Sequence, residues 1–84
     1  MKIEVELNSP QTTTEQKEKI KNDIESEILN HYRTMLKEPT TKLIVSLFDV
    51  PHSQTLSGTA LNEEGKEVIK ITYQLHGDTQ YHYC

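Results

Sequence analysis

The opening residues MKIEVELN alternate, with Ile3, Val5 and Leu7 on one side and Lys2, Glu4, Glu6 and Asn8 on the other. A period of two with one polar face predicts a half-buried strand, which Asn8, Ser9 and Pro10 then break. Beyond them the period changes. Ile20, Ile24, Ile28, Tyr32, Met35 and Leu36 recur at spacings of three and four, which paints one apolar stripe along a long helix. Thr12 stands three residues before Glu15, and Thr13 three before Gln16, so either threonine can open a capping box. Glu15 precedes Lys19 in the favourable orientation, and Lys37, Glu38 and Pro39 end the helix.

The next stretch, KLIVSLFDV, is apolar at nearly every position. Leu43, Val45 and Leu47 take one face, and Ile44, Phe48 and Val50 the other. That pattern predicts a central strand covered on both sides, stopped by Pro51. A hairpin follows, with its turn at Glu63, Glu64 and Gly65 and the apolar face of its second arm at Ile69, Ile71, Tyr73 and Leu75. A helix over 63–75 is the competing reading, but Val68, Ile69, Ile71, Thr72 and Tyr73 prefer strands. The polar and aromatic tail DTQYHYC reads as loose.

The predicted order is therefore β-α-β-β-β, an α+β fold with one mixed sheet and a single long helix on one face. The first two strands are expected to be parallel, joined by a right-handed crossover. Residues 1–84 form one small domain. A helix on one face leaves Ile44, Phe48 and Val50 on the other, to be covered by a second subunit or by the last strand and tail folding over.

Composition sharpens this picture. The chain has 84 residues, no tryptophan, one phenylalanine and 33% hydrophobic residues, so its core is thin and favours self-association. A net charge of −4 with scattered basic residues argues against nucleic acid as a partner. The single Cys84 cannot form an internal disulfide, which suits a reducing cytoplasm. Neither a signal peptide nor a membrane-length apolar run is apparent.

The strand IEVEL, the helix start TTTEQKEKI, Pro39 ahead of the second strand, and LIVSLFDVP with the following SQTLSG resemble the tautomerase superfamily, of the 4-oxalocrotonate tautomerase type. The resemblance covers roughly residues 2–60; the arm and tail from about 61 to 84 lie beyond the family's core. It implies the β-α-β fold and assembly as a trimer or hexamer, with small-molecule sites at subunit boundaries. It also implies a catalytic proline at the mature N-terminus and two arginines that hold a carboxylate substrate. Here Lys2 stands at the proline's position, Gln11 or Thr12 near the first arginine's, and Ile44 at the second's. Arg33, the one arginine, matches neither.

Proton abstraction next to a carbonyl needs a base that titrates near neutral pH and a cation for the developing charge. The remaining candidate catalytic amines are those of Met1 and Lys2. A free α-amine titrates at about 8 and a lysine at about 10.4, so Lys2 would serve only if desolvated. His52, after Pro51, sits in the loop where the family closes its pocket and is the candidate ligand-binding residue.

His76, His82 and Cys84 have ligand-type side chains, but without paired metal-site spacing a polar tail is the simpler reading, and no metal or cofactor is expected. Asp23, Glu27 and Asp49 offer carboxylates with no pairing visible in the sequence. His31 reads as a boundary residue of the helix. The functional expectation is a tautomerase-like protein without the proline-based machinery, of vestigial activity or binding a small ligand. The alternative is a small acidic regulatory protein that acts through protein–protein contacts. MKIEV, LSG and EEGKEVI resemble parts of the DinI family, whose members carry an acidic helix where this chain has residues 63–75.

Overall fold

The structure, a computed structural model, describes residues 2–35 and 40–83, and within the helix the side chains as far as His31. Its elements in chain order are β1 (Lys2–Asn8), α1 (Thr14–Met35), β2 (Lys42–Asp49), β3 (Thr55–Leu61), β4 (Glu67–Gln74) and β5 (Gln80–Tyr83). They form one five-stranded sheet in the order β1-β2-β3-β4-β5. The β1–β2 pair is parallel and every other pair antiparallel. The fold is α+β, one mixed sheet with one helix packed against it. The side chains of Tyr32, Arg33 and Met35, residues 36–39, and Met1 and Cys84 lie outside the described residues.

Two expectations change. The tail is not loose: Gln80–Tyr83 pairs along β4, with Tyr81 beside Ile71 and Tyr83 beside Ile69. It widens the sheet instead of folding across it. Residues 67–74 are strand, so the competing helix over 63–75 does not form.

Burial follows the alternation. Ile20, Ile24 and Ile28 of α1 lie on Leu43, Val45 and Leu47 of β2, Leu56 and Ala60 of β3, and Ile69, Ile71 and Tyr73 of β4, all buried. Each buried isoleucine, leucine or valine among them contributes about 1.5–3 kcal/mol by leaving water. Ile3, Val5 and Leu7 of β1 pack at the margin of this core. Gly58 sits in the middle of β3, where a Cβ would stand 1.7 Å from the Ser46 carbonyl oxygen, so the strands approach too closely for any other residue.

The helix start resolves the capping question in favour of Thr13. Gln16 N donates to Thr13 Oγ1 at 3.2 Å, and Thr13 N donates to Gln16 Oε1 at 2.8 Å, a reciprocal box. Thr12 is buried, and its hydroxyl donates to the Ser9 carbonyl. The β3–β4 turn is built on Asn62, whose Oδ1 accepts from the backbone N–H of Glu64 and of Lys66. Gly65 takes the left-handed conformation there, at φ 80°.

The opposite face of the sheet is open. Its side chains fall into register rows: Glu4, Ile44, Leu61 and Glu67; Glu6, Ser46, Thr59, Lys70 and His82; Asn8, Phe48, Ser57, Thr72 and Gln80. Phe48 is 54% exposed and Ile44 half-buried, so the described residues cover β2 on one side only, not on both as its apolar run predicts.

Candidate functional site

The antiparallel pairings of β3 make β4 run in the same direction as β1 and β2. Three strand C-termini and the start of α1 therefore gather at one end of the sheet. In open sheets with parallel strands, ligands are found at that end. Two groups of polar side chains occupy it.

The first is centred on Asp49, the last residue of β2. Ser9 Oγ donates to Asp49 Oδ1, as does Gln11 Nε2 at 2.9 Å, while the Gln11 backbone N–H donates to Oδ2 at 3.3 Å. Partial burial pulls the Asp49 carboxyl upward. The bonds from Ser9 and Gln11, together with the Lys17 ammonium, outweigh that and hold it below the ordinary aspartate range. With both oxygens engaged, this carboxylate fastens the β1–α1 loop to β2 and is not placed as a base.

The second is a pocket of about 180 Å³ between α1 and the end of β4, lined by Gln16, Lys19, Ile20, Tyr73, Leu75 and His76. Residues 16, 19 and 20 share a helix face at spacings of three and four, while Tyr73 lies in β4 and Leu75 and His76 in the turn just beyond its end. The floor is apolar: Ile20 and Tyr73 are buried and Leu75 half-buried. The rim is polar. Gln16 commits its Oε1 to the helix cap, which leaves the Nε2 donors unused. Lys19 makes no ion pair with Glu15, and its ammonium is unpaired among the described residues.

Tyr73 Oη donates to Asp23 Oδ2 at 3.1 Å. Burial first, then the Asp23 bond and the charges of Asp23 and Glu27, push the phenol up to about 12, so it remains a donor at neutral pH. Tyr81 Oη is also buried and has no hydrogen-bond partner among the described residues. Burial and the nearby Glu27 carboxylate raise its ionisation further still, though Glu27 is not in bonding geometry with it.

The residues singled out from the sequence are dispersed. Lys2 is exposed at the start of β1, level with Lys42, and pairs with Glu4 at 3.5 Å. Glu4 also holds Lys42 at 3.6 Å. His52 lies beyond the far end of β2, so more than about 20 Å of strand separates it from Lys2. It occupies the third position of a turn over residues 50–53, at φ 60°, closed by Ser53 N donating to the Val50 carbonyl. Met1 lies outside the described residues.

Ile44 faces the open side, and the Gln11 amide is tied to Asp49, so neither stands in for an arginine. His76 is at the pocket and His82 on the open face beside Lys70. No group of three or more His, Cys, Asp or Glu side chains suited to a metal occurs among the described residues. No described helix is long and apolar enough to cross a membrane. The pocket escapes a reading of the sequence because its two walls are more than fifty positions apart. Its one sequence signal, Ile20, looks like any other member of the core stripe.

Compared with known proteins, the chain matches no family model, no curated protein and no solved structure.

Proposed function

We propose that this chain binds a small carboxylate with an apolar body, in the pocket between α1 and the end of β4, without turning it over. One observation carries the reading: exposed Gln16, Lys19 and His76 line one pocket with buried Ile20 and Tyr73 and half-buried Leu75. Donors on a rim above an apolar floor suit an anion with a hydrophobic body. The resemblance to the tautomerase superfamily favours small acids as ligands. Against turnover stand Lys2 at the proline's position, and Gln11 and Ile44 at the arginines'.

The test is an NMR titration of the isotope-labelled protein with phenylacetate. Shifts centred on the amides of Gln16, Lys19, Leu75 and His76 are expected, absent with the neutral analogue phenylethanol and lost in Lys19→Ala. An equal response to phenylethanol, or an unchanged response in Lys19→Ala, removes the anion site. Ketonisation of phenylenolpyruvate above the buffer rate removes the claim of no turnover.

The second reading is a small acidic protein that acts through protein–protein contacts, favoured by the open sheet face and its exposed Phe48. Strand β4 at residues 67–74 takes the place of the acidic helix implied by the DinI likeness, so this reading rests on the open face alone.

A further inference from the structure

We infer that the pocket between α1 and the end of β4 takes up a proton together with its anion: His76 gains charge as pH falls, and binding tightens with it. The inference rests on the carboxylate reading of that pocket and adds its regulation.

The placing of this histidine carries it. His76 is the third residue of a turn over residues 74–77, in which Gly77 N donates to the Gln74 carbonyl at 3.4 Å. Leu75 N donates to the Gln54 carbonyl at 3.0 Å, which fastens the turn to the segment leading into β3. A Cβ on Gly77 would stand 2.4 Å from Gln74 Oε1, so the turn is closely folded. His76 is thereby held in one wall of the pocket, with Gln16 and Lys19 of α1 in the other.

The charges around it leave the ring free to answer to pH. No acid is among the six residues that line the pocket. Lys19 supplies one positive charge from α1, Tyr73 of β4 keeps its proton at neutral pH, and Gln16, Ile20 and Leu75 are uncharged. Asp23 of α1 is engaged by the Tyr73 hydroxyl. Asp78, two residues beyond His76, makes no ion pair with it among the described residues. From the β3 side, Gln54 and Thr55 bring no charge.

An imidazole gains its charge between about pH 8 and pH 5. Over that interval the lining passes from one positive charge to two. A carboxylate titrates near 4, so a bound acid stays anionic throughout. The anion favours the charged ring, and by linkage the charged ring favours the anion to the same extent. Binding therefore strengthens as pH falls, and a neutral analogue gains nothing.

The test is the affinity for phenylacetate at pH 8 and pH 5.5, at constant ionic strength, measured by NMR with the histidine ring signals followed alongside. Binding should be roughly fivefold tighter at pH 5.5, the scale of a solvent-exposed ion pair. The titration midpoint of the His76 ring should rise on binding by about 0.7 on the pH scale, the logarithm of the same factor. His76→Gln should bind with one affinity at both pH values. His76 is exposed, so this variant should melt with the parent by circular dichroism.

Equal affinity at the two pH values overturns the inference and leaves the anion site standing. So does a pH dependence that survives His76→Gln, or a midpoint that rises at His52 or His82 in place of His76. Phenylacetate that binds at neither pH removes the site and the inference together.

Discussion

Tyr73 on β4 and Asp23 on α1, fifty positions apart, are joined by a hydrogen bond of 3.1 Å at the edge of the core. The phenol is buried, and the carboxylate it serves is half-buried on the helix. This bond ties the helix to the second half of the sheet, where packing alone gives no direction. Replacing Tyr73 by Phe keeps the ring and removes the bond, at a cost of about 1 kcal/mol.

Burial of the phenol first, and this bond second, make stability depend on alkali. The folded-state phenol titrates at about 12, above the usual 10 of an unfolded chain. Its contribution is therefore complete below pH 10 and is lost as pH rises through 12. Thermal melting at pH 8 and pH 11.5 should show a smaller alkaline loss for Tyr73→Phe than for the parent. Tyr81, raised in the same direction, keeps some of the loss in both proteins. Equal losses would remove Tyr73 as a source.

Asp49 produces the opposite dependence. Its folded-state value is depressed, so its contribution is present above the unfolded value of about 3.9 and drains as pH falls through the folded one. Asp49→Asn should be less stable than the parent in urea at pH 7, with the gap closing at pH 2–3. A gap that persists in acid would assign the effect to packing of the β1–α1 loop.

Gly58 and Gly65 should respond differently to alanine. At Gly58 the new Cβ would meet the Ser46 carbonyl at 1.7 Å, backbone against backbone, so Gly58→Ala should cost at least about 3 kcal/mol. A loss of more than about 10 °C in melting temperature is expected for a domain of this size. At Gly65 there is open space and only the φ of 80° to resist, so Gly65→Ala should cost about 1 kcal/mol. Similar melting temperatures for the two variants would contradict the close approach of β2 and β3.

His52 holds a left-handed backbone at φ 60°, where glycine is at ease and histidine is not. His52→Gly should stabilise the fold by about 0.5–1 kcal/mol, measured by urea unfolding. If the same variant also loses phenylacetate binding, the histidine is a ligand as well as a strained turn residue. Retained binding leaves it with the turn alone.

The pattern of the chain carried the architecture where side chains repeat and failed where they do not. Ile3, Val5 and Leu7 mark β1, and Ile20, Ile24 and Ile28 mark the buried line of α1, because burial on one face demands such spacing. The last strand has only Tyr81 and Tyr83 to turn inward, two positions in four residues, too few to stand out from a polar tail. The run at β2 overstated its cover, since Ile44 and Phe48 look like core in sequence and face outward. The capping box was legible, but the choice between Thr12 and Thr13 depended on which hydroxyl the loop turns back to Ser9. The candidate site was least legible, because a pocket is assembled from distant segments. The residues marked by resemblance, Lys2 and His52, ended at opposite ends of one strand pair.

The parallel pairing of β1 with β2 sets the order in which the chain can fold. Residues 42–83 form a run of antiparallel neighbours, each closing a short loop onto the one before it. The N-terminal strand must instead wait for a partner that emerges from the ribosome about forty residues later, with the whole helix between them. Closing that loop costs more chain entropy than any hairpin in the molecule. Strand β1, synthesised ahead of β2, is thus among the last of the five to be seated, and the amides of Lys2–Asn8 should be the first to exchange when the native protein opens.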